Sequence, residues 1–571
     1  MEVFLGISAA EGTGIGTAFV IPDPVKRIIP QHHISIEQLS KGWSRFTMAV
    51  NDVTTRLTDS LNSLSKTNPK DNAQREVFET YILMLGDPVF TKELQDFYNK
   101  ELFNIEYSVN FKAEEYATRL RQSGNDYLAE RAQDITDVFG YVLDAMLDIH
   151  PFDINTVPDG SVILATSLSS ADTIILSKRK IAGLALAEGG VSSHVVILAR
   201  NYGIPTVVGL DNISKKVKSG ETVIVDTKEG EILVCPDADT ITEYKEKIYE
   251  EGQRKASLRS FINKPAVTKD GTEFKLYANI GTPEEAEIAL QEGADGIGLF
   301  RTEFLYMAQN GVSIHAAARS FNEESQFEAY KKVLQLMGDK PVTIRTLDAG
   351  GDKLINSVDI PKIEEKNPLL GLRAVRLSLK YPNLFKTQLR ALYRASVYGN
   401  LRIMFPLIST VEQVKECLVI ADEVKQELES SNIPFKKDVP IGIMVETASG
   451  AVISDCLAKV SDFFSLGTND LTQYTLAVDR ENPYTNKLYN EFSLSVLRLI
   501  QLTLNSAEEE GIPVSVCGEM AGKHDSVMVL GGMGFRNLSM SPKLILATKE
   551  LLSRFTIQEL EAISNKHLNN L

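Results

Sequence analysis

The sequence predicts a multidomain α/β protein. It reads as a small α/β domain carrying an inserted helical bundle, then a linker helix, then a C-terminal (β/α)8 barrel. Three observations carry that reading. Helical periodicity runs without a break from about Ile36 to Leu147, between stretches of strand character at residues 1–21 and from Ser161 onward. A charged helical stretch, Glu243-Tyr244-Lys245-Glu246-Lys247-Ile248-Tyr249-Glu250-Glu251, follows at 240–262. From Lys275, short apolar runs alternate regularly with amphipathic helical segments. A chain of 571 residues has room for three or four domains at roughly 150 residues each. The boundaries expected are 1–21 with 146–235 for the α/β domain, 22–145 for the bundle, 236–262 for the linker and 263–571 for the barrel.

The first segment reads as a strand, a glycine-rich turn over Glu11-Gly12-Thr13-Gly14-Ile15-Gly16, and a second strand through Thr17–Ile21. The glycines resemble a phosphate loop at first sight. The lysine of a Walker motif is absent, however, and glycine turns between short strands need no ligand. In the helical insertion Val77, Tyr81, Met84 and Leu85 recur at helical spacing, Asp87-Pro88 punctuates one helix, and Ser123-Gly124-Asn125-Asp126 starts another. About four helices joined by short loops are expected. This block holds no candidate catalytic residue and reads as a docking surface or scaffold.

Strand character returns at Ser161–Ala165, Ile181–Leu186, Thr206–Val208 and Thr222–Val225, with the first 20 residues expected as edge strands of the same sheet. Within this domain lies Ala187-Glu-Gly-Gly-Val-Ser-Ser-His-Val-Val-Ile-Leu-Ala-Arg200. It predicts a tight turn and a helix starting near Ser192 or Ser193, because a serine hydroxyl accepts from an orphan N–H at a helix start. His194 then stands in the first turn, where free N–H groups and the helix dipole favour an anion. Two readings fit: a phosphoryl-carrying histidine, or a capped helix with an incidental polar residue.

Eight candidate strands follow: Lys275–Ile280, Gly296–Phe300, Val342–Leu347, Arg402–Phe405, Ile441–Val445, Phe463–Leu466, Val514–Cys517 and Asn537–Met540. Eight β/α units in roughly 300 residues are the signature of a TIM barrel, whose active sites lie at the C-terminal strand ends. Those ends carry Arg301, Arg345, Glu446, Asn469 with Asp470, and Cys517. The residue types suit a phosphorylated acid. Arginine forks match phosphate and carboxylate oxygens, which makes Arg301, Arg345, Arg373 and Arg480 anion candidates. Two carboxylates with few other ligands suit Mg²⁺, which makes Glu446 and Asp470 metal candidates. Surface ion pairs are the alternative for Arg373 and Arg480, and a small buried hydrophobe is the alternative for Cys517.

Composition sets the limits. A formal charge of −16 argues against a nucleic-acid partner or an anionic membrane surface. Cys235, Cys417, Cys456 and Cys517 lie far apart with no CxxC pair, which fits a reducing compartment without disulfides or zinc knuckles. The opening Met1-Glu-Val-Phe-Leu-Gly-Ile-Ser lacks the plan of a secretory leader. No apolar run approaches the ~18 residues of a membrane span. A cytoplasmic protein without membrane insertion is expected.

Several blocks resemble enzyme I of the phosphoenolpyruvate-dependent sugar phosphotransferase system, in the same order and over essentially the whole chain. Gly189–Arg200 is similar to that family's phosphohistidine signature, and Gly296-Ile-Gly-Leu-Phe-Arg-Thr-Glu-Phe-Leu-Tyr-Met307 to its first phosphoenolpyruvate-binding signature. Thr346–Lys353, Asn367–Arg373, Phe463–Arg480 and Cys517-Gly-Glu-Met-Ala-Gly522 match further blocks. Pyruvate phosphate dikinase and phosphoenolpyruvate synthase share parts of this pattern but add an ATP-grasp domain for which the chain has no room. The resemblance implies transfer of the phosphoryl group of phosphoenolpyruvate to His194, and onward to a histidine of the carrier HPr. It implies Mg²⁺ on Glu446 and Asp470, and phosphate held by Arg301, Arg345 and Arg480 with Asn469. Thr173 would fix the tautomer of His194, Arg373 would assist, and Cys517 would protonate the departing enolate. It further implies HPr docking on the helical insertion, a swivel near 240–262, and a homodimer through the barrel.

The sequence departs from the family pattern at some positions. Ser192 stands for Thr, Ser167–Thr173 for an acidic-Leu-Thr-Pro-Ser-acidic-Thr run, and Met307-Ala308-Gln309 for Met-Asp-Arg. Ala448 stands for Pro, Lys523 for Asp, Tyr81 for His and Glu11 for Pro. None of these removes a residue given a chemical role. They leave a second reading: a divergent regulatory paralog that senses phosphoenolpyruvate or serves a non-standard carrier.

Overall fold

The computed structural model describes the chain except residues 23–27, 63–68, 122–125, 150–153, 169, 178, 189–193, 304, 306–321, 351–364, 366, 481, 483 and 570–571. It resolves into two compact units, Met1–Gln253 and Arg254–Leu571. The boundary falls inside a helix, α9 (Ala238–Arg259). Of that helix's aromatic residues, Tyr244 is buried, donating to Asp226 Oδ2 at 2.7 Å.

The first unit is built on one eight-stranded sheet in the order β1-β8-β7-β3-β4-β5-β6-β2. Its strands are β1 (Glu2–Leu5), β2 (Ile7–Ala10), β3 (Thr13–Val20), β4 (Ser161–Ala165), β5 (Gly183–Leu186), β6 (Thr206–Val208), β7 (Thr222–Asp226) and β8 (Glu231–Val234). β3 to β6 pair in parallel, and β1, β2, β7 and β8 join antiparallel. β4, β5 and β6 are buried along their whole length, as strands covered on both faces must be.

Two expectations are corrected here. The first 20 residues do not all lie at the edge: β1 and β2 do, but β3 is central, between β7 and β4. The glycine-rich turn is also shorter than expected, because Gly14 and Gly16 are strand residues. A Cβ on Gly14 would lie 1.8 Å from the Ala182 carbonyl oxygen, and one on Gly16 would lie 2.2 Å from that of Gly160. These glycines admit neighbouring backbone rather than a phosphate.

Between β3 and β4 come α1 (Leu39–Asn62), α2 (Pro69–Leu85), α3 (Pro88–Glu101), α4 (Ile105–Arg121) and α5 (Asp126–Met146). Among the described residues the insertion has five helices where about four were expected; the segment around Asp87 separates one helix from the next and caps the latter. Asp87 accepts from the N–H groups of Val89 and Phe90, with Pro88 in the first turn. Phe46, Val53, Val77, Phe78, Leu94, Val109, Val138 and Val142 form the bundle core. Tyr81 belongs to it, fully buried and donating to Asp134 at 3.3 Å. Its place in the family pattern is thus an interior substitution, and burial, with Asp134 beside it, holds its phenol well above the ordinary range.

The second unit is a closed barrel of eight parallel strands, with β9 (Ala266–Val267) paired antiparallel to the first. The strands are β10 (Glu273–Ile280), β11 (Ile297–Arg301), β12 (Pro341–Arg345), β13 (Asn400–Phe405), β14 (Ile441–Val445), β15 (Phe464–Leu466), β16 (Val514–Val516) and β17 (Asn537–Met540). Each pairs with the next, and β10 closes the ring by pairing with both β11 and β17. All eight expected strands are present, within a few residues of the predicted ends. Helices outside the ring complete the core with side chains such as Phe385, Leu392, Val424, Leu457 and Ile500.

Candidate active site

The C-terminal strand ends surround a cavity of about 320 Å³. Arg301, Arg345, Arg373, Glu446, Asn469, Asp470, Arg480 and Cys517 all line it. Every barrel residue singled out in the sequence therefore meets at one mouth. Asp348, Gln473 and Glu519 line it as well, and none of them was given a role from sequence.

Carboxylates and guanidinium groups interlock on the floor. Asp348 bridges two arginines, with Arg345 Nη1 at 2.8 Å and Arg373 Nη2 at 2.7 Å. Glu303 takes Arg345 Nη2 at 3.1 Å and accepts from the Asp348 N–H at 2.8 Å. Asp470 lies 3.6 Å from Arg373 and 3.9 Å from Arg480. Burial works against the charge on Arg345 and Arg373, but the surrounding carboxylates, Asp348 first, more than offset it and hold both guanidinium groups protonated beyond their ordinary range. Arg373 is thus committed to Asp348, Asp470 and the Tyr474 hydroxyl at 3.3 Å. It reads as an organiser of the cluster more than an open anion receptor.

The other arginines keep donors in reserve. Arg345 Nε and Arg480 Nη1 are buried without a hydrogen-bond partner, and the Arg301 side chain has no ion pair or hydrogen bond with any described residue. Buried N–H groups left unpaired cost roughly 1–3 kcal/mol each. Their clustering around one polar cavity marks where an anion would satisfy them.

Asp348, Glu446 and Asp470 each offer a carboxylate oxygen, all within 4.8 Å of one another. Such an oxygen set suits a hard divalent cation. Glu446 is 2% exposed and accepts from the Leu407 N–H at 2.6 Å. Burial first, then repulsion from Asp348 and Asp470, pushes its carboxyl well above the usual range, and a bound cation would relieve that repulsion. Asn469 is held to Glu519, donating through Nδ2 at 3.3 Å and accepting from the Glu519 N–H at 2.8 Å. Cys517 is buried, its Sγ 3.4 Å from the Leu466 carbonyl oxygen. Burial raises its thiol above the ordinary range, which keeps it protonated at neutral pH.

Behind the floor, buried Gln388 accepts from the Leu347 N–H at 3.0 Å and donates to the hydroxyls of Thr302 and Tyr330, each at 3.2 Å. Thr302 donates to the Arg345 carbonyl oxygen at 3.0 Å. This tie fixes the end of β12 against the end of β11. The strand-end rule would have found Asp348, three residues past β12; nothing local marks Gln388.

The departures from the family pattern sit around this centre. Ala448 is the first residue of helix Ala448–Val452, whose cap is Thr447 accepting from the Gly450 N–H. Proline is favoured at that position but alanine also propagates a helix. Lys523 pairs with Glu491 at 2.8 Å and Glu519 at 3.6 Å. Residues Met307-Ala308-Gln309 lie outside the described residues, as does the turn 189–193.

In the first unit, α7 (His194–Tyr202) opens at His194, which places that residue in the first turn. α6 (Ser170–Ser177) packs against α7 and carries Thr173, fully buried. At the far end of α7, Tyr202 packs against both the bundle core and the sheet core.

A barrel mouth of this kind, with a carboxylate cluster, arginines and a buried thiol, defines a site for a small phosphorylated acid. Three family profiles of phosphoenolpyruvate-utilising enzymes match the chain: the N-terminal region over residues 5–131, the mobile domain over 157–230 and the phosphoenolpyruvate-binding domain over 255–557. The chain is 37% identical over 556 residues to the phosphoenolpyruvate-protein phosphotransferase of Priestia megaterium, covering 97% of this chain and 94% of the relative. It is 37% identical to that of Bacillus subtilis (strain 168), covering 100% and 97%, and 36% identical to that of Staphylococcus carnosus (strain TM300), covering 98% and 95%. The chain belongs to the phosphoenolpyruvate-protein phosphotransferase family.

Proposed function

We propose that the protein transfers the phosphoryl group of phosphoenolpyruvate to its own His194, releases pyruvate, and passes the group to a histidine of an HPr-type carrier protein. The observation that carries this reading is the set of unpaired arginine donors around the Asp348, Glu446 and Asp470 carboxylates, in a chain whose relatives bear that activity over their full length.

In the reaction, Arg301, Arg345 and Arg480 bind the phosphoryl oxygens, with Asn469 as a further donor. Glu446 and Asp470 would hold Mg²⁺, with Asp348 adjacent, and the bound cation would neutralise charge on the substrate oxygens. A neutral ring nitrogen of His194 attacks phosphorus in line. The N–P bond forms as the bond to the enolate oxygen breaks, and that electron pair stays with the enolate. The arginines stabilise charge as it redistributes, the main contribution of protein groups to phosphoryl transfer. The Cys517 thiol then gives its proton to the methylene carbon, and pyruvate leaves. Thr173 orients His194 through the other ring nitrogen, and Arg373 positions Asp348 and Asp470.

The segments 1–21 with 146–235, 22–145, 236–262 and 263–571 divide the labour: His194 carrier, carrier-protein docking, swivel, and substrate barrel with the homodimer contact. The match of 157–230 to a mobile domain supports a moving His194. Among the described residues no helix is long and apolar enough to cross a membrane, which is compatible with a cytoplasmic site of action; the net charge of −16 supports a protein partner rather than nucleic acid.

Incubation with phosphoenolpyruvate labelled at phosphorus, with Mg²⁺, tests the proposal. Acid-labile, base-stable label should appear on the wild-type chain and be absent from His194→Ala. Chelation of the metal should also prevent it. Label retained in His194→Ala, or absent from both proteins, would sink this reading, the latter in favour of a sensor.

A further inference from the structure

The opposite end of the barrel holds a second cavity, of about 230 Å³, at the N-terminal strand ends. Its walls are mixed, with Ile297, Phe464 and Val514 beside Tyr277, Thr343, Arg402, Ser515 and Asn537. Arg402 is the one charged residue among those that line it. It is half-buried, and its side chain has no hydrogen bond or ion pair with any described residue. Its charge lies close enough to Tyr277 to act on that phenol: burial raises the Tyr277 pKa, Arg402 pulls it down, Asp295 adds to the rise, and Lys275 opposes it. Neither flanking charge is bonded to the Arg402 side chain. Asp295 Oδ2 accepts from the Leu276 N–H at 2.8 Å, and Lys275 pairs with Glu273 at 2.8 Å.

This combination is specific in its chemistry. A guanidinium matches the two oxygens of a carboxylate in a planar fork. One guanidinium charge balances one negative charge, so a monocarboxylate suits the site better than a phosphate dianion. The mixed walls, with Tyr277 and Phe464 beside Thr343, Ser515 and Asn537, suit a small organic body on that carboxylate, including a ring. The mouth, by contrast, has lining carboxylates and several guanidinium groups.

We infer that the base of the barrel is a second small-molecule site, which takes a small organic monocarboxylate, its carboxylate on Arg402. The site is separate from the reaction at the mouth and does not depend on it. Phe463 lines the basal cavity and packs in one cluster with Leu299, Met404, Met444 and Cys517. That layer, whose Leu299, Met444 and Cys517 also line the mouth, separates the two cavities.

Benzoate, with benzamide as its uncharged counterpart, is the probe. Titration calorimetry on the full chain should find saturable benzoate binding that weakens at least tenfold in Arg402→Leu, with no comparable binding of benzamide. Any benzoate held by the arginines of the mouth is common to both proteins, so the difference reports the base. Equal affinity in wild type and Arg402→Leu, or equal binding of benzamide, overturns the inference. A second measurement uses the wild-type chain alone and so does not rest on the variant folding. Phenylglyoxal labels accessible arginines, and peptide mass spectrometry should show Arg402 protected by benzoate and unprotected by benzamide. Labelling of Arg402 that benzoate leaves unchanged overturns it equally.

Discussion

At the mouth of the barrel Arg345 is wedged between Glu303 and Asp348, and at its base Arg402 faces Tyr277 with no carboxylate bonded to it. Both are barrel arginines, on adjacent strands β12 and β13, yet they are prepared for different tasks. The mouth keeps its guanidinium groups rigid by surrounding them with carboxylates, then leaves selected N–H groups open. A group transferred between phosphoenolpyruvate and a histidine carries shifting charge, and fixed donors stabilise it without reorganising at the moment of reaction. The base has no such lattice. One arginine, the one charged residue lining that cavity, can recognise a charge, but no second charged group there shares the load of a developing one.

The sharpest way to break this contrast is to remove a carboxylate from the floor of the mouth. Glu446→Gln should lower turnover of phosphoenolpyruvate by about 10³-fold, measured as pyruvate release, with the fold retained by circular dichroism. A loss under tenfold would mean that the carboxylate cluster is structural. The thiol comes next. Cys517→Ala should slow pyruvate formation by roughly 10²-fold, the scale of a general acid. The donor must be protonated, so wild-type turnover should decline as pH rises through the thiol's pKa. Burial raises that pKa above the ordinary range, so the decline should begin at higher pH than for an exposed thiol. Cys517→Ala should lack this limb, and an unchanged limb would assign it elsewhere.

Two milder changes sharpen the comparison within the mouth. Gln388→Leu leaves the Leu347 N–H without its acceptor, at a stability cost of about 1–3 kcal/mol. It should also lower kcat about tenfold by loosening β12 against β11, because a misplaced catalytic geometry costs rate. A lowered Tm with unchanged kcat would reduce Gln388 to a core residue. At the rim, Lys523→Asp restores the family's residue and breaks the pairs with Glu491 and Glu519. Exposed ion pairs contribute about 0–1 kcal/mol, so kcat/KM should move by less than about fivefold; a larger change would make Lys523 part of the substrate site.

These effects come from residues of very different legibility. Arg301, Arg345, Glu446 and Cys517 could be read because each ends or directly follows an apolar run that had to be a buried strand, and the strands of a barrel aim their C-terminal ends at one place; Asp470 stands four residues past such a run, while Arg373 and Arg480 were legible only by residue type. Asp348 follows the same rule at a distance of three residues. Gln388 could not be read, because it sits in a helix and acts on a loop through one hydrogen bond across the fold.

By itself the sequence determined the element pattern and the barrel, since periodicities of about 3.6 and 2 are local and survive without knowledge of the fold. It also placed His194 in the first turn of a helix, described from His194 to Tyr202; the expected start near Ser192 or Ser193 lies outside the described residues. Tertiary structure alone decided the rest. It placed β3 inside the sheet and made Gly14 and Gly16 strand residues, because the approach of Ala182 and Gly160 comes from chain far away. It buried Tyr81 against Asp134, tied Arg373 to Asp348, and left Arg402 unpaired. Whether a charged or polar side chain is compensated depends on its neighbours in space, and those are set by pairings that no local stretch of sequence contains.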